Sequence, residues 1–391
     1  MFKLEKKELE QLGAVITTRE ICQQPELWEE LITFYKKIET ELEEFLSKVR
    51  SQSKGQRTRV IFTGAGTSQY VGDTLVPYLR KYGDVKNFTF ESIGTTDIVA
   101  KPLNYLSKEE PTLLVSFARS GNSPESLAAV EIANQVVDTI HHLSITCAED
   151  GKLAKISQKE DDCYLILMPA RSNDAGFAMT GSFSCMTLAA LLVFDQTDFN
   201  QKQKFVCSLI ELGKEVVSRE EEIKRIVDID FDRVVYLGSG SLSGLTREAQ
   251  LKILELTAGE ITTIFDSSMG FRHGPKSFVN DKTVVFGFIN NDEYTRDYDL
   301  DVLEEVRSDK IAAGVYAITQ VGKRNFSGNS FEFVKETQLL PDGYLSLAFI
   351  MVAQTFALLT SVKVSNKPDT PSPTGTVNRV VKGVTIHEFK V

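Results

Sequence analysis

Val60-Ile61-Phe62-Thr63-Gly64-Ala65-Gly66-Thr67-Ser68 and, much later, Val234-Val235-Tyr236-Leu237-Gly238-Ser239-Gly240-Ser241 follow one grammar: a short apolar run, a Gly-x-Gly turn, then hydroxyls. A continuous apolar run closed by glycine is the mark of a parallel strand buried on both faces. Two such starts lie in a chain of 391 residues, too long for a single hydrophobic core. The recurrence reads as an internal repeat of about 175 residues, too long for a solenoid and right for a duplicated domain.

Outward from the first start, apolar runs at 88–90, 112–117, 143–146 and 164–167 predict further strands, with a helix over 124–137 and a buried helix over 183–194. A charged helix over 211–226 follows, its SREEEIKR run a solvated face. After the second start, strands are expected at 284–289 and 315–318, with a helix over 301–312 between them. Strand–loop–helix repetition gives right-handed crossovers. The expected class is α/β: two tandem doubly wound parallel-sheet domains, flavodoxin-like, with an N-terminal helical segment. The expected boundaries are 1–50 (helical segment), 51–205 (first domain), 206–365 (second domain) and 366–391 (C-terminal tail).

Composition narrows the function. A formal charge of −10 argues against nucleic acid and anionic membranes as partners. Five scattered cysteines without a C-x-x-C pattern suggest free thiols in a reducing compartment, with no disulfide scaffold and no zinc site. The charged N-terminus lacks an apolar h-region, so no signal peptide and a cytoplasmic location are expected. The apolar stretch 344–362 is long enough for a membrane span, but Ser346, Gln354 and Thr360 interrupt it, and a buried helix is expected there.

In an open parallel sheet, ligands bind beyond the carboxyl ends of the strands. Two loops of the first domain hold such positions. In Gly64–Ser68, Gly66 lets the backbone approach a ligand, and Thr67 and Ser68 present hydroxyls at a helix start. The loop alone could equally be a tight turn: Gln69 stands where a dinucleotide fingerprint needs glycine, and no P-loop lysine follows.

The second loop, Ser116 to Ser126, carries more information. Ser123 fits an N-cap and Pro124 a first helical position, which a merely capped helix would explain. It would not explain Ser120 and Ser123 crowded beside Arg119 around a glycine. Backbone N–H groups, hydroxyls and a helix dipole suit a phosphate monoester, and they need no basic domain. In the second domain, Asn290-Asn291-Asp292-Glu293 follows the strand instead and would repel a phosphate, so one phosphate site per chain is expected.

GAGTS, SFARSGNSPES, LKILELTAGE and FRHGPKS together resemble the SIS (sugar isomerase) domain family, and more closely its AgaS-type galactosamine-6-phosphate deaminase/isomerases. The resemblance runs from about residue 40 to the end, and FRHGPKS is its most specific motif. Similarity to the isomerase half of glucosamine-6-phosphate synthase implies a phosphate held by Ser68, Ser120 and Ser123, with Thr67 and the Arg119 backbone nearby. It further implies Glu255 as catalytic base and His273, reaching in from a neighbouring subunit, as ring-opening acid/base. It implies Lys382 as a tail lysine, with Pro368, Pro371 and Pro373 stiffening the approach to it.

Read from the residues, Glu248, Lys252 and Glu255 share one helix face, which could be no more than a salt-bridged stripe. Of four histidines, His273 alone is set in a Gly/Pro loop. No cofactor and no metal are implied. The expected substrate is a small-molecule sugar phosphate, D-galactosamine 6-phosphate going to D-tagatose 6-phosphate and ammonia. The expected form is a homodimer or higher homo-oligomer with shared active sites. A non-catalytic sugar-phosphate sensor, and an isomerase or deglycase without amino-sugar deamination, stay open at this point.

Overall fold

The computed structural model describes residues 1–379, 381 and 383–390. The chain forms two compact units. One gathers Leu27–Asp174, Gly181–Lys202 and the described residues from Asn378 onward; the other gathers Met1–Glu26, Ala175–Thr180 and Gln203–Val377.

The first unit is built on β1 (Thr58–Thr63), β2 (Phe88–Ser92), β3 (Thr112–Ala118), β4 (Ile140–Thr146) and β5 (Cys163–Leu167), all parallel, in the order β2-β1-β3-β4-β5. β3 is buried along its whole length, as its uninterrupted apolar run requires. Phe62, Phe90, Phe117 and Phe194 stack on one face, with ring centroids of 5.4 Å (Phe62–Phe194) to 6.1 Å (Phe62–Phe90). Phe194 comes from the helix Gly181–Phe194, buried on every side. The order reverses between β1 and β3, so the two hydroxyl-bearing loops flank the switch point.

The second unit repeats the plan with β6 (Arg233–Gly238), β7 (Thr262–Ser267), β8 (Thr283–Phe288), β9 (Gly314–Gln320) and β10 (Asn329–Phe333). They are again parallel, in the order β10-β9-β8-β6-β7, which read from the other edge is the arrangement of the first sheet. Tyr236, Phe286, Phe288, Phe349 and Phe356 form its aromatic core.

The doubly wound α/β class stands as expected, with N-terminal helices Lys6–Leu12, Val15–Cys22 and Gln24–Gln52. Several details differ. The edge strands β7 and β10 were not anticipated. The charged helix breaks at Arg219 into Phe199–Ser218 and Glu220–Val227, Arg219 pairing with Glu215 and Glu222 on either side. The helix after β8 starts earlier than expected, at Glu293, because Asp292 is its N-cap and accepts from the Thr295 N–H at 3.1 Å.

Asp342–Lys363 is long and apolar enough to cross a membrane, and it lies buried in the second unit, packed on the helix Ser241–Leu256. Of its interrupting polar residues, Gln354 accepts from Gln24 at 2.7 Å, and Ser346 and Thr360 donate to the Gly343 and Phe356 carbonyls at 2.7 Å each.

Candidate active site

Gly66 caps the helix Thr67–Tyr82 at φ 57° and ψ −129°, a conformation that favours glycine, and a methyl group built there would meet nothing within 4 Å. Gly64 is needed for a different reason. A Cβ there would stand 2.5 Å from the Ser68 backbone, so only glycine lets strand and helix close up. Thr67 and Ser68 sit in the first turn of the helix and are nearly buried.

The β3 loop lies across the switch point. Gly121 has φ 63°, and its carbonyl accepts from the Leu153 N–H at 3.0 Å, while Asn122 accepts from the Lys152 N–H at 3.1 Å. These bonds fix the loop without using its serines. Ser123 is the N-cap residue of Pro124–Val136, yet its side chain makes no cap hydrogen bond. Ser120 only receives a long bond, 3.4 Å, from the Asn122 N–H. Both hydroxyls are half-buried, beside helix-start N–H groups that lack intrahelical partners. Ser123 thus holds the N-cap position without the side-chain bond that capping supplies, which leaves the turn as a candidate anion cradle.

Arg119 turns elsewhere. It is 7% exposed, and its Nη2 donates to the carbonyl of Arg379 at 2.7 Å. Its guanidinium reaches the C-terminal segment of the same unit.

In the second unit, one face of the helix Ser241–Leu256 carries Glu248 and Lys252, both fully buried, and Glu255 with about a quarter of its side chain exposed (23%). Lys252 Nζ lies 3.3 Å from Glu248 Oε1 and 2.7 Å from Glu255 Oε2. Burial pushes the Lys252 ammonium down, but the two carboxylates together outweigh it and hold its pKa above the ordinary value. Glu255 thus has a permanent cation fixing one oxygen, while its edge reaches solvent.

His273 ends a short 3-10 turn, Gly270–His273, and is exposed. Its neighbours explain why. Phe271 is fully buried in the second core, and Arg272 and Lys276 both grip Glu305 at 2.6 Å, Lys276 also reaching Asp309 at 2.6 Å. The loop is stapled to the helix Glu293–Ser308 and leaves the imidazole outward. Lys382 lies outside the described residues. Among the described residues, no three His, Cys, Asp or Glu side chains converge as a metal site would need.

A SIS-domain family model matches residues 55–194, the stretch that contains both cradle loops. Over 384 residues, 96% of each chain, this protein is 42% identical to the D-galactosamine-6-phosphate deaminase AgaS of Escherichia coli. The chain belongs to the AgaS family of SIS-domain proteins. Among solved structures, the tagatose-6-phosphate ketose/aldose isomerase of Escherichia coli is 39% identical over 96% of this chain and 97% of its own, with a TM-score of 0.86. A Clostridium novyi NT protein named for the same isomerase reaction is 43% identical, covers 100% of this chain and 99% of its own, and reaches 0.92.

Within this AgaS-family chain, sequence reasoning left Lys252 out of the site. Its spacing was visible, but not the burial that turns a surface stripe into a fixed ion triad. The commitment of the Arg119 side chain to Arg379 had no signal at all, since the two residues are remote in sequence.

Proposed function

We propose that this protein is an amino-sugar-6-phosphate deaminase of the isomerase type, converting D-galactosamine 6-phosphate and water to D-tagatose 6-phosphate and ammonia. The observation that carries the reading is the 42% identity to an AgaS deaminase over nearly the full length, supported by a Ser123 whose side chain makes no cap hydrogen bond.

The phosphate is held by Ser120 and Ser123, with Gly66, Thr67, Ser68 and the Arg119 backbone beside it, and this binding fixes the sugar for the chemical step. His273, as acid/base, opens the ring. Glu255 removes the C2 proton of the open aldehyde and returns it at C1 through an enolamine. The resulting 2-imine takes up water at C2, and ammonia leaves. Lys252 keeps Glu255 oriented. Lys382 contributes by family resemblance alone.

Glu255→Gln should lower kcat by about 100-fold or more with KM little changed, and should abolish exchange of the C2 proton with solvent. Exchange at the wild-type rate would move the base elsewhere. A panel of 6-phosphorylated amino sugars assayed for ammonia tests the reaction itself. Turnover of tagatose 6-phosphate to galactose 6-phosphate without ammonia from any amino sugar would favour simple ketose/aldose isomerisation, the reaction for which the two solved relatives are named.

A homodimer or higher homo-oligomer with shared active sites belongs to the same proposal. Co-expressed His273→Ala and Ser120→Ala/Ser123→Ala chains should regain activity that neither parent has; verified mixed oligomers as inactive as the parents would remove the sharing.

A further inference from the structure

The Arg119 side chain and the residue it holds have no part in the proposed chemistry, yet their bonds are specific. A guanidinium carries five donors and stays charged, so one that is 7% exposed needs acceptors supplied by the protein. Arg119 finds the Arg379 carbonyl at 2.7 Å. Arg379 then points its own guanidinium back: Nε donates to the Asp174 carbonyl at 3.0 Å and Nη2 to Asn173 Oδ1 at 3.2 Å. Asp174 is itself a fixed point. It is fully buried, and its carboxylate accepts from the Gly181 and Ser182 N–H groups at 3.2 and 2.9 Å, closing the start of the core helix. Ten residues after Arg379, Phe389 packs on the apolar cluster formed by Ile98, Leu106, Ala133 and their neighbours in the same unit.

We propose that Arg119 and Arg379 are positioning residues, fastening the C-terminal segment as a strap onto the loop that carries Ser120 and Ser123, with Phe389 as its second anchor. Arg119 is adjacent in sequence to Ser120, so any order that a phosphate imposes on the loop passes directly to the strap. The strap itself does not depend on the proposed function; its coupling to the loop does, through the phosphate.

The test is amide hydrogen exchange on the full-length protein, read in peptides covering 378–390 and 116–126, for wild type, Arg379→Ala, Arg379→Lys and Phe389→Ala. Without ligand, residues 378–390 should exchange at least about five-fold faster in Arg379→Ala and in Phe389→Ala than in wild type, with β1 and β3 peptides unchanged as a control for folding. Arg379→Lys should recover part of the protection, because its ammonium can reach the Asp174 carbonyl as the guanidinium does. Equal tail exchange in wild type and both alanine variants would overturn the strap.

Adding D-tagatose 6-phosphate should slow both regions in wild type, but only 116–126 in Arg379→Ala. Slowing of both in that variant would overturn the coupling through Arg379. If the sugar phosphate slows neither region in wild type, the phosphate reading fails, and the ligand-free comparison still decides the strap. In turnover, Arg379→Ala should lose about ten-fold in kcat with KM within about three-fold, since the phosphate seat is untouched. A loss confined to KM would overturn the positioning role.

Discussion

The two Gly-x-Gly turns share a backbone and differ in what faces it. Gly66 and Gly240 have φ/ψ of 57°/−129° and 61°/−132°, and each opens a helix of sixteen residues. Beside Gly66 there is open space, whereas a Cβ on Gly240 would lie 2.5 Å from Asp342 Oδ2. That oxygen accepts the Ser241 N–H at 2.9 Å, the place an anion takes at a helix start. A second carboxylate, Asp299, takes up the Ser239 and Ser268 hydroxyls at 2.5 and 2.6 Å and the Asn290 N–H at 3.0 Å. The turn thus occurs twice, and in the second unit the protein's own carboxylates, from the neighbouring helices, fill the place that the candidate cradle leaves open in the first.

The largest effect should come from giving the first cradle what the second has. Ser123→Asp places a carboxylate at the β3 helix start, and because Asp caps helices as well as Ser, the fold should tolerate it. Like-charge repulsion should then raise KM for the 6-phosphate by at least about 100-fold, against about 1.5–3 kcal/mol for the neutral deletion Ser123→Ala. Steady-state kinetics on both variants checks this, and an unchanged KM in Ser123→Asp would place the phosphate elsewhere.

The converse change is smaller. Asp342→Ala should uncover the second cradle and add a weak equivalent of bound inorganic phosphate, visible by phosphorus NMR titration. Titration curves that match wild type would mean that Asp299 alone keeps anions out.

The smallest effect is on stability. Burial raises the pKa values of Asp299 and Asp342 above the ordinary 3.8, and their hydrogen bonds only partly offset it. The native state therefore holds these protons more tightly than the unfolded chain does. Their contribution falls as pH rises from 3.8 toward the raised values, and the loss is complete above them. Asp342→Asn removes one of the two groups, so the melting-temperature difference between it and wild type should shift in the variant's favour as pH rises above 3.8. Parallel pH profiles would mean that the Asp342 carboxylate is not strained by burial.

The same comparison shows what was legible in the sequence. β3 and β8 are buried on both faces and announced themselves as apolar runs. β7 and β10 are edge strands. Thr262 and Phe265 of β7 are exposed, and in β10 only Phe331 and Phe333 are buried, so neither shows such a run. Ser120 and Ser123 stood out as candidates because hydroxyls around a glycine at a helix start follow from local chemistry. Asp342 could not be found that way. It reaches Gly240 from 102 residues further along the chain, and at its own position it looks like an ordinary acidic residue in a first helical turn. The acidic loop 290–293 suggested repulsion of phosphate, but the residues that occupy the cradle are Asp299 and Asp342.

The long apolar helix Asp342–Lys363 has a consequence for the order in which the chain can be built. Its unit also contains the first residues: Asp369 accepts the Ile16 and Thr17 N–H groups at 2.9 and 2.8 Å, and Gln24 donates to Gln354. During synthesis the helices Lys6–Leu12 and Val15–Cys22 must therefore wait for segments that leave the ribosome last, while the strands β1–β5 and the helix Gly181–Phe194 are already complete. The segment most able to enter a bilayer or to aggregate thus emerges only when the surfaces that will bury it are already there, which shortens the time it spends uncovered.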